Sequence, residues 1–257
     1  MNDPSTRAAQ DAKPIAVIAV ALAVIIGGGT WWWLTRRGET PANTTPAAVT
    51  ATEAPIDKPS APPVDLPPLD QMDAFLRPLL QALSARPELM RWLATDDLLG
   101  QLAFAIDRAS AGGSPARDFK MLAPVGPFAV SGRGSRRTID PNSYKRYDSL
   151  VLTVTSIDAS RVAQIYKTIR PRLNEAYRRT GNPGGDVDRA VHQALDILLD
   201  TPVVNGPIAV VEGDGASWVY ADARLENLEP SQKQLVRMGP AHADALLVWL
   251  RALKNAL

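Results

Sequence analysis

Asp188, His192 and Asp196 are spaced by four, which sets two carboxylates and an imidazole on one helical stripe. Such a set could hold a divalent cation, or use the imidazole as a base flanked by acids. The helix expected over residues 187–199 buries Val187, Ala190, Val191, Ala194 and Leu198, however, and leaves the polar stripe beside that face, toward solvent. Carboxylate–histidine pairs of this kind are ordinary helix-surface decoration. The second histidine, His242, falls in a first helical turn after Gly239 and Pro240, where the helix dipole favours a neutral, hydrogen-bonding ring. With two histidines and no cysteine in 257 residues, cysteine nucleophiles and cysteine-based zinc sites are excluded. No Gly-x-Ser-x-Gly elbow presents a serine. The residues therefore nominate no catalytic group, no metal ligand set and no cofactor site.

The run Gly132-Arg133-Gly134-Ser135-Arg136-Arg137 has the outline of a phosphate-binding loop. Arg137 stands where the dinucleotide pattern needs its third glycine, and a proline turn follows instead of a helix. What remains is a basic loop. Its Arg133, Arg136 and Arg137 could touch anionic groups such as lipid heads, cell-wall polymer or an acidic partner, or simply be solvated. Lys and Arg total 28 against 27 Asp and Glu, a net charge of +1, which gives no global electrostatic case for nucleic acid.

The elements that must position these residues fall into four zones. Residues 1–14 are a short polar tail. Residues 15–34 are an uncharged, mostly apolar run whose length, at ~1.5 Å per residue, matches a bilayer core of about 30 Å. Trp31, Trp32 and Trp33 at its end suit the headgroup level, and Arg36 and Arg37 stop it at the polar boundary. The run reads as an uncleaved single-pass anchor, because a signal peptide would be shorter and end at a small-x-small site. Residues 35–68 form a Pro/Ala/Thr-rich linker without apolar periodicity, unable to build a core. Arg7 and Lys13 before the span nearly balance Arg36 and Arg37 after it. The terminal amine tips the orientation toward a cytoplasmic N-terminus and a periplasmic domain, and the lack of cysteine is compatible with that.

Residues 69–257 read as one mainly α domain with a small β-hairpin. Helices are expected over 70–83, 87–93, 96–111, 159–180, 187–199, 231–238 and from Pro240 onward. Asp140-Pro141 is a cap followed by a first-turn proline that opens another. Residues 150–157 fit strand or helix, and their helical neighbours favour helix. Pro171 is expected to kink the long helix. Residues 208–211 and 218–220 flank Gly213-Asp214-Gly215 as a hairpin.

The stretches 66–70 (Leu-Pro-Pro-Leu-Asp), 140–148 (Asp-Pro-Asn-Ser-Tyr-Lys-Arg-Tyr-Asp) and 231–240 (Ser-Gln-Lys-Gln-Leu-Val-Arg-Met-Gly-Pro) carry a family resemblance. The chain resembles an uncharacterised bacterial family, catalogued as a domain of unknown function (number 3014). The resemblance implies a membrane-anchored protein of Gram-negative bacteria and brings no activity, ligand or catalytic residue. Its most distinctive pieces are Arg146-Tyr147-Asp148 and Arg237-Met238-Gly239-Pro240, and Tyr144 belongs to the same motif as the first. Tyr144, Tyr147 and Arg237 either lock the domain internally or line a shared surface, and internal packing is the expectation. Taken together, the sequence points to an anchored, non-enzymatic envelope module that binds a protein or wall component. An envelope hydrolase and a membrane-tethered cytoplasmic adaptor remain the alternatives.

Overall fold

Two aspartates and an arginine organise the first turn of the fold. The computed structural model describes residues 65–118, 124, 126–213 and 217–257. The expected anchor with its tryptophans and arginines, most of the linker, and the Asp214-Gly215 turn lie outside them. Helix α1 (Met72–Gln81) presents Asp73 and Arg77 one turn apart. Arg77 donates to the carbonyls of Leu93 and Thr95, closing α2 (Pro87–Leu93). Asp73 accepts the Leu98 N–H at 2.8 Å and thereby opens α3 (Leu98–Ser110). Asp97, the N-cap, sits at φ 55° and accepts from the Gly100 N–H. Left-handed backbone is uncommon outside glycine, but a short polar side chain bonding its own turn tolerates it.

Six further helices follow among the described residues: α4 (Asp148–Thr155), α5 (Ala159–Arg179), α6 (Val187–Leu199), α7 (Ala223–Glu226), α8 (Pro230–Arg237) and α9 (Pro240–Ala256). Helices α3, α5, α6 and α9 pack on one another, and Ile106, Leu173, Leu195 and Leu253 at their shared centre are fully buried. Their apolar residues recur at three and four positions, the spacing that turns one face inward. Trp249 of α9 is buried there and donates its indole N–H to the Ile157 carbonyl at 2.6 Å, holding the α4–α5 turn. None of the described helices is long and apolar enough to cross a membrane.

A small β layer lies beside this bundle. Strands β1 (Val130–Ser131) and β2 (Thr138–Ile139) pair antiparallel, as do β3 (Val210–Glu212) and β4 (Trp218–Tyr220). A bridge between Thr138 and Ala209 and the bonds Ile139 N–H to Ile208 O and Val210 N–H to Arg137 O join the two hairpins. Ile139, Ile208, Val210, Tyr220 and Val236 form a second core under them.

Several expectations hold and some do not. Residues 148–155 are helical, as their neighbours suggested. The expected β3–β4 hairpin is present, and strands β1 and β2, which the sequence does not announce, flank the basic loop 132–137. Asp140-Pro141 does open a helix, but Pro141–Tyr147 is a 3₁₀ turn. Pro171, where a kink is expected, lies inside α5, which stays helical on both sides of it. Pro171 and Lys167 both lie on its exposed side, where water can take the carbonyl that proline leaves unbonded.

The N-terminal approach to the domain is fastened. Arg172 on α5 donates from Nε to the Pro67 carbonyl at 2.9 Å and from Nη2 to the Leu66 carbonyl at 3.1 Å. Its third nitrogen pairs with Glu175 at 3.1 Å.

Candidate functional site

The two most distinctive sequence stretches meet. The 3₁₀ turn Pro141–Tyr147 has three residues per turn, so Tyr144 and Tyr147 eclipse each other and face the helices together. Asp140 caps this turn by accepting the Asn142 N–H and also accepts from the Ser131 hydroxyl. Those two bonds hold its carboxyl below the ordinary range, the hydroxyl contributing more. The buried Ser143 hydroxyl donates to the Ala129 carbonyl and accepts the Ala129 N–H, sewing the turn to β1.

On the other side, Gly239 lies between α8 and α9 at φ 87°, ψ 162°. The Tyr144 ring rests on it so closely that a β-carbon there would stand 2.5 Å from the ring. Tyr147 is 4% exposed and its hydroxyl accepts from Gln234 at 3.3 Å. Arg146 lies over the rings of Phe128 and Tyr147, each 5.7 Å away. Asp148 pairs with His242 Nε2 at 3.0 Å, while His242 Nδ1 lies 2.9 Å from the Met238 carbonyl. Met238 is buried in the main core, and Pro240 starts α9.

Arg237 completes the latch. The register leaves the Trp218 carbonyl and the Tyr220 N–H on the side of β4 facing away from β3. Arg237 donates to that carbonyl at 2.7 Å and lies over the Tyr220 ring, and Glu226 accepts that N–H at 2.8 Å. Bare strand edges invite pairing with other chains; here side chains cover this one. Partial burial pushes Glu226 upward, but its bonds from Lys233 and the Tyr220 N–H, with Arg237 nearby, outweigh that and hold it below the usual range.

Burial pushes the phenols of Tyr147 and Tyr220 upward, and that of Tyr166 further, helped by its bond to Asp188. Unfolded tyrosines ionise near pH ~10. Above that the folded chain keeps protons that the unfolded chain has released, so stability is full below it and declines as pH rises. Urea midpoints should fall between about pH 8 and about pH 11, and Tyr166→Phe should flatten the decline. An unchanged midpoint across that window would contradict the burial of these phenols.

The candidate metal stripe is not assembled. Asp188 accepts from the buried Tyr166 hydroxyl and pairs with Arg170 at 3.0 Å, so it does more than decorate the surface. Asp196 pairs with Lys254. His192 is exposed without a partner among the described residues. A mostly apolar pocket of about 30 Å³ lies beside Ser231, Gln234 and Met238, room for about one water.

The basic run is a hairpin tip. Arg137 folds back over the Trp218 ring at 5.2 Å and pairs with Glu212. Arg133 and Arg136 are exposed, and neither guanidinium has a partner among the described residues. The sequence singled out the latch positions by motif but missed Trp218, Tyr220, Glu226 and Gln234 as the residues they meet. The i, i+3 spacing of Gln234 and Arg237 was the available signal, since it places both on one face of α8.

Residues 98–254 match a family model described as "Protein of unknown function (DUF3014)", a span that contains both latch stretches and excludes residues 66–70. No curated protein and no solved structure matches the chain. Because the family match spans more than half of the 257 residues, and its span holds the two stretches that interlock here, the chain belongs to the DUF3014 family.

Proposed function

We propose that this protein is a single-pass, membrane-anchored binding or scaffold module of the bacterial cell envelope. Residues 15–34 serve as the anchor in the inner membrane and residues 35–68 as the spacer. The helical domain stands on the periplasmic side and engages a protein or wall component that carries negative charge. The supporting observation is the contrast between two sets of arginines. Arg146 and Arg237 are engaged in the latch, and Arg137 is folded onto Trp218, whereas Arg133 and Arg136 at the same hairpin tip are exposed without partners. Against the hydrolase alternative, Tyr144 rests on Gly239, and Arg237 and its neighbour Glu226 are both bonded to the β4 edge.

The test uses the full chain in bacterial cells, with a photocrosslinking residue at Ser135, between the two arginines. The expected result is an adduct in the membrane fraction, resistant to salt extraction, that disappears when Arg133→Glu and Arg136→Glu are combined. Both positions are exposed, so stability should change by less than about 0.5 kcal/mol each. An adduct that survives the double substitution refutes the anionic contact. Release of the chain by salt alone refutes the anchor.

A further inference from the structure

We propose that Asn205-Gly206 is a spontaneous modification site, where the asparagine amide is lost and replaced by aspartate and isoaspartate. The pair lies in the connector between α6 and β3, and both residues are exposed. Gly206 adopts φ 102°, and nothing lies within 4 Å of the position a β-carbon would take. Among the described residues, neither the Asn205 amide nor the Gly206 N–H makes a hydrogen bond.

These are the conditions the chemistry needs. After the Gly206 nitrogen gives up its proton, it attacks Cγ of Asn205. The new N–Cγ bond closes a five-membered imide, the Cγ–Nδ2 bond breaks, and ammonia leaves with the proton. Water then opens the ring. Cleavage of the N–Cγ bond gives aspartate; cleavage of the bond from nitrogen to the backbone carbonyl gives isoaspartate. The balance is one water in and one ammonia out, with no other reactant. A following residue with a side chain obstructs the attack, and a hydrogen bond to the attacked amide holds it out of position; glycine, lacking a β-carbon, leaves the approach open.

The other described asparagines that lie outside helices lack these features. Asn142 precedes Ser143, whose N–H is bonded to Asp140 at 2.8 Å. The Asn182 amide donates to Asp107 at 2.6 Å and is followed by Pro183, which has no N–H. Asn227 precedes the bulky Leu228. The isoaspartate product has a structural consequence too. It inserts one extra carbon into the main chain between Val204, which packs on the second core, and the buried Ile208. The Ile208 carbonyl accepts the Ile139 N–H at 2.9 Å, one of the bonds joining the hairpins.

The experiment incubates the full chain, folded, in mildly alkaline buffer. Peptide mapping by mass spectrometry and enzymatic isoaspartate methylation then follow each asparagine. The expected result is loss of the Asn205 amide while the peptides of Asn142, Asn182 and Asn227 stay intact, with no label at that position in Asn205→Gln. Two results would overturn the proposal: persistence of the Asn205 amide alongside the other three, or conversion in urea but not in the folded chain.

Discussion

Replacing Gly239 by alanine should cost about 2–6 kcal/mol, combining about 1–3 for a backbone region essentially reserved for glycine with about 1–3 for overpacking. The residue stands at φ 87°, ψ 162°, and its new methyl would meet the Tyr144 ring at 2.5 Å. Single domains of this class are stable by about 5–15 kcal/mol, so the loss should be plain in a urea titration. The double substitution with Tyr144→Ala separates the two causes. Removing the ring relieves the steric part and leaves the dihedral strain, so the pair should be non-additive by about 1–3 kcal/mol. Strict additivity would mean that the two stretches do not interlock as described.

Trp249→Ala should be comparably severe, about 3–5 kcal/mol for the emptied volume. The buried Ile157 carbonyl would also lose its 2.6 Å partner, adding about 1–3 kcal/mol where no replacement forms. Trp249→Phe keeps most of the volume and loses the bond, and should fall between wild type and alanine. The reporter is equilibrium unfolding followed by circular dichroism. A cost below about 1 kcal/mol for the alanine variant would show that this indole does not hold the α4–α5 turn.

Periodicity made the helices legible. Val162, Tyr166, Ile169, Leu173 and Tyr177 repeat at three and four, and all are buried in α5. The short strands were less visible for a physical reason. Strands β1 and β2 are two residues each, too brief for alternation to register, and the bonds that join their hairpin to β3, Ile139 N–H to Ile208 O and Val210 N–H to Arg137 O, link residues some seventy positions apart in sequence. The same distance problem hid the latch partners. Tyr144 and Arg237 stood out singly, but nothing local to either shows that one rests on Gly239 and the other covers β4. The bonding of Asp188 to Tyr166 was likewise hidden, because a helical wheel shows one helix and not its neighbour.

The grip of Arg172 on Leu66 and Pro67 decides where mechanical load enters this fold. Tension arriving along the chain from residues before Asp65 meets two parallel hydrogen bonds to the middle of the longest described helix before it reaches the short turn at Leu69–Gln71. Shearing those bonds together is harder than unzipping a terminal turn one contact at a time. A pull from that side therefore loads the middle of α5 before it loads the turn at Leu69–Gln71.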